Sequence, residues 1–158
     1  MAVKALVFVG TDPKRTRQAL ERLPQPWSVV TGRFDGVTLV QNETLKALGE
    51  AVVSQVRSVE GVTRTETYPV LREVSSTQSQ NGPVKAYVLV RTEPRRTEQV
   101  FGSLAGLPET SWAATVSGRY DVAVQLGART WEELSNVLFD KVRKVEGVES
   151  TETFLVAN

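Results

Sequence analysis

Two four-residue strings in this chain have the composition of a small-ligand site: Gly32-Arg33-Phe34-Asp35 and Gly118-Arg119-Tyr120-Asp121. A guanidinium and a carboxylate close together can hold a zwitterion, the arginine gripping a carboxylate through two parallel hydrogen bonds. Asp35 or Asp121 would take an α-ammonium, and Arg119 or exposed backbone N–H groups an α-carboxylate. The plainer alternative is a tight turn, with glycine and aspartate serving only the backbone. On residue type the second string is the better candidate, because Phe34 lacks the hydroxyl of Tyr120. Each string is followed by Thr-Glu-Thr, at Thr65-Glu66-Thr67 and Thr151-Glu152-Thr153. Along a strand the two threonines share one face and the glutamate takes the other. Thr65, Thr67, Thr151 and Thr153 could therefore line a polar pocket, or serve only the β propensity of a half-exposed strand.

Other chemistry is narrowed by what the chain lacks. It contains no cysteine and no histidine, which removes thiolate nucleophiles, thiolate metal sites and the commonest general base. Glu43, Glu50, Glu132 and Glu133 fall on helix surfaces without a partner base or nucleophile, so no catalytic residue, metal or cofactor is expected. With 19 basic and 18 acidic side chains, the net charge of +1 argues against direct nucleic-acid binding, which needs a basic stripe to neutralise phosphates. The densest basic cluster (Lys14, Arg15, Arg17 and Arg22) reads as a solvated helix face. The apolar run Ala5–Val9 is too short for a membrane span or signal segment, so a soluble cytoplasmic protein is expected.

The elements that would position these residues also occur twice. Gly32 and Gly118, Gly61 and Gly147, and Thr65 and Thr151 are each 86 positions apart, while Val3-Lys4-Ala5 and Val84-Lys85-Ala86 are offset by 81. A tandem duplication with a short insertion in the second copy accounts for both offsets. Each copy opens with a valine-rich strand, and Asp12-Pro13 or Glu93-Pro94 then starts a helix, with Asp12 as a plausible N-cap. Two strands flank each Gly-Arg pair, which suggests a two-residue type II′ turn. Trp27 stands five residues before its glycine and Trp112 six, so they should face opposite sides of their strands unless a bulge intervenes.

A second helix carries the stripe Leu45, Leu48, Val52, Val56 and Val59, repeated as Trp131, Leu134, Leu138, Val142 and Val145. Trp131 is expected in a core or an interface. Thr130-Trp131-Glu132-Glu133 forms a capping box, and Thr44 opens the first-copy helix without the glutamate. Gly61 and Gly147 should end these helices in the left-handed conformation. The last strands cover Val62–Leu71 and Val148–Val156, with Pro69 implying an edge strand or a bulge. The order β-α-β-β-α-β is ferredoxin-like. We therefore expect an α+β protein of two ferredoxin-like domains in tandem, 1–73 and 84–158, forming a pseudo-dimer and joined by a polar linker over 74–83.

The string Val84–Val90, followed by Gly118-x-Tyr120-Asp121, Val145-Glu146-Gly147-Val148 and Thr151-Glu152-Thr153, resembles the effector-binding (RAM) domain of the Lrp/AsnC family. The resemblance covers the second copy and, more loosely, the first. It implies an amino-acid effector held near the Gly-x-Tyr-Asp hairpin, assembly into dimers and larger oligomers, and regulation of transcription. The chain departs from the family in showing no helix-turn-helix and in carrying arginine, at Arg33 and Arg119, where members often have an acidic residue. The expected function is a stand-alone module that senses an amino acid or related metabolite and acts through homo-oligomers or assemblies with related regulators. The alternatives are an assembly protein with a vestigial site, and an enzyme of the dimeric α+β-barrel kind.

Overall fold

A computed structural model of the chain describes residues 2–76 and 82–157; the central part of the expected linker, 77–81, lies outside the described residues. The fold is α+β, and the chain divides into two compact units, Met1–Val70 with Val156–Asn158, and Leu71–Leu155. In the first unit the order is β1 (Val3–Thr11), α1 (Thr16–Leu20), β2 (Trp27–Thr31), β3 (Gly36–Asn42), α2 (Leu45–Ala51) and β4 (Val62–Ser75). The second repeats it as β5 (Val84–Thr92), α3 (Thr97–Ala105), β6 (Thr110–Val116), β7 (Val122–Ala128), α4 (Trp131–Asn136) and β8 (Val148–Val156). β4 is longer than expected: it runs through Val74 and Ser75, and its residues from Leu71 onward belong to the second unit.

Within each unit the first strand is central. β1 pairs antiparallel with β3 (Val7 opposite Thr38) and with β4 (Val7 opposite Thr67), and β2 pairs with β3. β5 likewise takes β7 and β8, with β6 beside β7. This is the ferredoxin-like β4-β1-β3-β2 order twice over. Alternation sends Ala5, Val7 and Val9 to the helix side, where they pack with Leu20, Leu23, Leu48, Val52 and Val56. Ala86, Val88 and Val90 do the same with Val100, Phe101, Leu104, Leu134 and Val142. Each fully buried aliphatic of this set contributes about 1.5–3 kcal/mol by leaving water.

Both second helices change winding midway. α2 continues as a π-helical stretch over Val52–Arg57, and α4 over Val137–Val142. The wide turns show in the bonds from Ser58 N–H to the Val53 carbonyl (3.1 Å) and from Arg143 N–H to the Leu138 carbonyl (3.0 Å). The extra residue per turn shifts the apolar stripe: Val137 is buried, whereas Leu138, expected on the inner face, is half-buried. Trp131 is not core, being 55 % exposed.

Several local expectations need adjustment. Asp12 does not cap α1; its Oδ1 accepts from the Lys14 N–H, and the helix starts at Thr16 after an uncapped Arg15. Thr44 and Thr130 both cap, accepting from Ala47 N–H at 3.0 Å and Glu133 N–H at 3.1 Å, so the glutamate missing from the first copy is not needed for that bond. Gly61 and Gly147 take positive φ, 98° and 102°, but they do not end the helices, whose winding stops at Arg57 and Val142; they stand at the entry to β4 and β8. Pro69 stands opposite Ala5 in the β1–β4 ladder, whose bulge falls at Gly10/Thr11 instead. The β6–β7 register shifts between Thr110 and Trp112. Trp112 and Trp27 do face opposite ways: Trp27 packs on the helix-side core, while the Trp112 indole donates to Glu73 Oε1 at 3.0 Å.

Candidate functional site

The two Gly-Arg hairpins are built from long-range bonds. Val30 N–H donates to the Asp35 carbonyl and Asp35 N–H to the Val9 carbonyl, both at 2.9 Å; Val116, Asp121 and Val90 repeat this at the same distances. Four residues, 31–34 or 117–120, therefore span each loop, and the expected two-residue turn is not formed. The glycines still take positive φ, 135° at Gly32 and 147° at Gly118. The loop is longer because each aspartate is held against the neighbouring central strand. Asp35 Oδ2 accepts from Thr11 N–H (2.9 Å) and Thr11 Oγ1 (3.0 Å), and Thr11 Oγ1 lies 2.7 Å from Thr16 Oγ1 at the start of α1. Asp121 Oδ2 accepts from Thr92 N–H (2.8 Å) and Thr92 Oγ1 (3.2 Å), with Thr97 Oγ1 2.6 Å beyond. The bulges at Gly10/Thr11 and Arg91/Thr92 accompany this geometry. Each aspartate thus fastens hairpin, strand and helix start together.

The turn arginine and aromatic meet different partners. Phe34 packs on Phe8 (ring centroids 6.0 Å apart), and Phe8 meets Tyr68 edge-on at 6.0 Å, on the sheet face away from the helices. Glu66, opposite Phe8 in the ladder, shares that face. Arg33 reaches it loosely, at 3.4 and 3.5 Å. In the second copy the Tyr120 hydroxyl donates to Glu152 Oε1 at 3.1 Å. In the first, Tyr68 supplies the hydroxyl that Phe34 lacks, donating to Glu66. Tyr68 corresponds to Phe154, so Phe34 with Tyr68 is exchanged for Tyr120 with Phe154. The expected advantage of the second copy on this ground disappears.

A second exchange surrounds the same turns. Arg64 of β4 donates to the Arg33 carbonyl and lies over Phe34, 5.2 Å from the ring centroid. In the second copy the guanidinium comes from Arg91 of β5, which donates through Nε and Nη2 to the Arg119 carbonyl at 3.3 Å and stands 5.7 Å from the Tyr120 centroid. Gly10 faces Arg64, and Arg91 faces Ser150. A Cβ on Gly10 would stand 2.7 Å from Arg64 Cγ, so one strand must be small where the other carries the arginine. Arg33 and Arg119 flank the same rings at 4.9 and 5.9 Å. Each copy thus gathers two guanidiniums, one glutamate, one aromatic ring and one tyrosine hydroxyl. Sequence reasoning missed Arg64, Arg91, Glu66, Glu152 and Tyr68. The available signal was the paired, opposite differences between the two copies.

The threonines lie elsewhere. Thr65 and Thr67 stand opposite Val9 and Val7, and Thr151 and Thr153 opposite Val90 and Val88, all on the helix side of the sheet. The fold therefore separates them from the hairpin clusters by the thickness of a strand. Thr65 and Thr67 instead line a cleft of about 550 Å³ beside α2, with Ala5, Leu45, Leu48, Gly49, Val52, Val53, Arg57 and Pro69. Among the described residues no group of three or more acidic side chains is placed to hold a metal.

Residues 85–158 match the family model of the Lrp/AsnC ligand-binding domain. The chain is 32% identical over 75 residues to an HTH-type transcriptional regulator of Pyrococcus abyssi, covering 48% of either chain. It is 33% identical over 73 residues to the HTH-type transcriptional regulator FL11 of Pyrococcus furiosus, covering 46% of this chain and 48% of that one. The chain spans about half the length of the curated relatives it matches. Among solved structures it resembles the siroheme decarboxylase NirDL in complex with an iron-uroporphyrin III analogue, with a TM-score of 0.72 at 11% identity over 99% of this chain and 72% of that one. At such identity the likeness is one of fold.

Proposed function

We propose that the chain is a non-enzymatic effector-binding and assembly module, taking a small amino acid or a related zwitterion at its hairpin clusters. The observation that carries this reading is the double exchange. Phe34/Tyr68 against Tyr120/Phe154, and Gly10/Arg64 against Arg91/Ser150, alter four positions per copy while each cluster keeps the same chemical groups. Arg33 with Arg64, or Arg119 with Arg91, presents guanidinium N–H groups to an α-carboxylate. Glu66 or Glu152 takes the α-ammonium in place of Asp35 and Asp121, whose Oδ2 atoms serve the backbone. The lack of histidine and cysteine supports binding over catalysis. Regulators related to the matched domain are the natural partners through which effector binding would reach transcription.

Thermal-shift screening of the twenty amino acids, followed by calorimetry of the hits, tests the proposal. A ligand with Kd below about 1 mM, a binding free energy of roughly −4.1 kcal/mol, is expected. Glu152→Gln should weaken its binding at the second cluster by about ten- to hundredfold, the cost of roughly 1.5–3 kcal/mol for a lost charged hydrogen bond. Absence of any such ligand would remove the sensing role and leave assembly alone.

A further inference from the structure

Arg72 shows what the first helix of the second unit can hold. Its guanidinium stands 4.7 Å over the Phe101 ring and pairs with Glu98 at 2.5 Å, so an aromatic face and a helix carboxylate grip it together. The first unit keeps both kinds of group but moves them. Phe101 corresponds to Leu20, and the ring comes instead from Trp27, which stands opposite Thr38 in its ladder as Ala113 stands opposite Val124. Glu98 and Gly102 correspond to Arg17 and Glu21, so the carboxylate sits one turn further along the helix. The residue matching Arg72 is Asn158.

Where the second unit is filled, the first has a cleft of about 440 Å³ between α1 and β2, within the range of small-molecule sites. Leu20, Val29 and the half-buried Trp27 form its apolar wall, and the charged residues lining it are Arg17 and Glu21. Lys14, Arg15 and Arg22 of the same segment do not line it, and Arg15 is paired with Glu60. Thr16 does, but its hydroxyl is bonded to Thr11. Among the described residues neither Arg17 nor Glu21 makes an ion pair, and the buried Trp27 Nε1–H has no acceptor. The cleft thus carries one cation, one anion and one donor whose demands the protein leaves unmet.

We propose that this cleft binds a small ω-guanidino carboxylate, whose guanidinium plays the part that Arg72 plays in the second unit. The guanidinium lies against Trp27 and donates to Glu21, while the carboxylate at the other end pairs with Arg17. Residues four apart on a helix stand about 5–6 Å from one another, a span that a chain of three methylenes covers. A ligand without an α-ammonium is favoured because the cleft offers a single carboxylate, and the guanidinium takes it. The cleft is on the helix side of the sheet, the face opposite the hairpin cluster. It is therefore a site beyond the proposed effector site, and it stands or falls apart from it.

Calorimetry of the full chain with 4-guanidinobutyrate as the probe tests this, and a Kd below about 1 mM is expected. Its neutral isostere 4-ureidobutyrate, and butylguanidine, which lacks the carboxylate, should each bind at least about tenfold more weakly, the effect of losing one charged hydrogen bond. Glu21→Gln should weaken the probe by a similar factor. Arg17→Gln should weaken 4-guanidinobutyrate and leave butylguanidine unchanged, which separates the two ends of the ligand. Glu66→Gln with Glu152→Gln, which alters both hairpin clusters, should bind the probe as the parent does. No binding of the probe at about 1 mM, or equal binding of the ureido isostere, overturns the proposal. So does binding that survives Glu21→Gln and is lost in the hairpin variant, which would place the ligand at the effector site instead.

Discussion

Tyr120 and Tyr68 show how little a single position says about a site. Read by itself, Phe34 marks the first copy as defective; read with Tyr68, it is one half of an exchange that keeps a hydroxyl on the strand glutamate. The exchange works because positions 34 and 68 both approach Phe8, so a hydroxyl from either reaches the same neighbourhood. Tyr120→Phe should therefore cost about 1 kcal/mol, the net worth of an ordinary hydrogen bond, measured by urea denaturation. Adding Phe154→Tyr should restore most of that loss. If the double variant is no better than the single one, the two arrangements are not equivalent. Arg64 and Arg91 follow the same logic through cross-strand partners, Gly10 and Ser150.

At the scale of elements, the hairpins are fixed by what they touch, not by their turn residues. Gly-Arg between two strands suggests a two-residue turn; the aspartate that follows is instead drawn to Thr11 or Thr92. Thr92 is only 2 % exposed, so its N–H has little access to water if the carboxylate is removed. Asp121→Ala should accordingly lower stability by about 1–3 kcal/mol through that orphaned donor, read as a lower urea midpoint with an unchanged slope. No loss of stability would mean the aspartate is held for another purpose. The second helices carry a comparable lesson. Their N-caps, Thr44 and Thr130, were legible because caps depend on local residue types; their ends were not, since the winding stops at Arg57 and Val142, before Gly61 and Gly147. Their π-helical continuations were not, because nothing in a 3.6-residue stripe announces one wide turn.

For the molecule as a whole, duplication is the organising fact, and divergence between the copies is what gives it content. Both hairpin clusters retain the full set of groups, so calorimetry should return two effector molecules bound per chain. A stoichiometry of one would place function in a single cluster and make the exchanges incidental. The outer helix faces have gone the other way: Leu45 and Val53 border a cleft in the first copy where the second exposes Trp131 and Phe139. One duplicated domain has therefore kept one surface alike and made another unlike, which a homodimer of identical chains could not do.

The sequence alone determined the repeat, the β-α-β-β-α-β order, the ferredoxin-like class and the separation of threonines from glutamate along the last strands. All of these rest on periodicity and local conformational preference, which act over a few residues. Tertiary structure alone decided that the glutamates, not the threonines, join the hairpins, and that Asp35 and Asp121 are committed to Thr11 and Thr92. It also revealed Arg64 and Arg91 as equivalents although they lie on different strands. Those outcomes depend on register between strands distant along the chain. Register is settled by how whole faces pack, and that information is spread over both partners of every ladder.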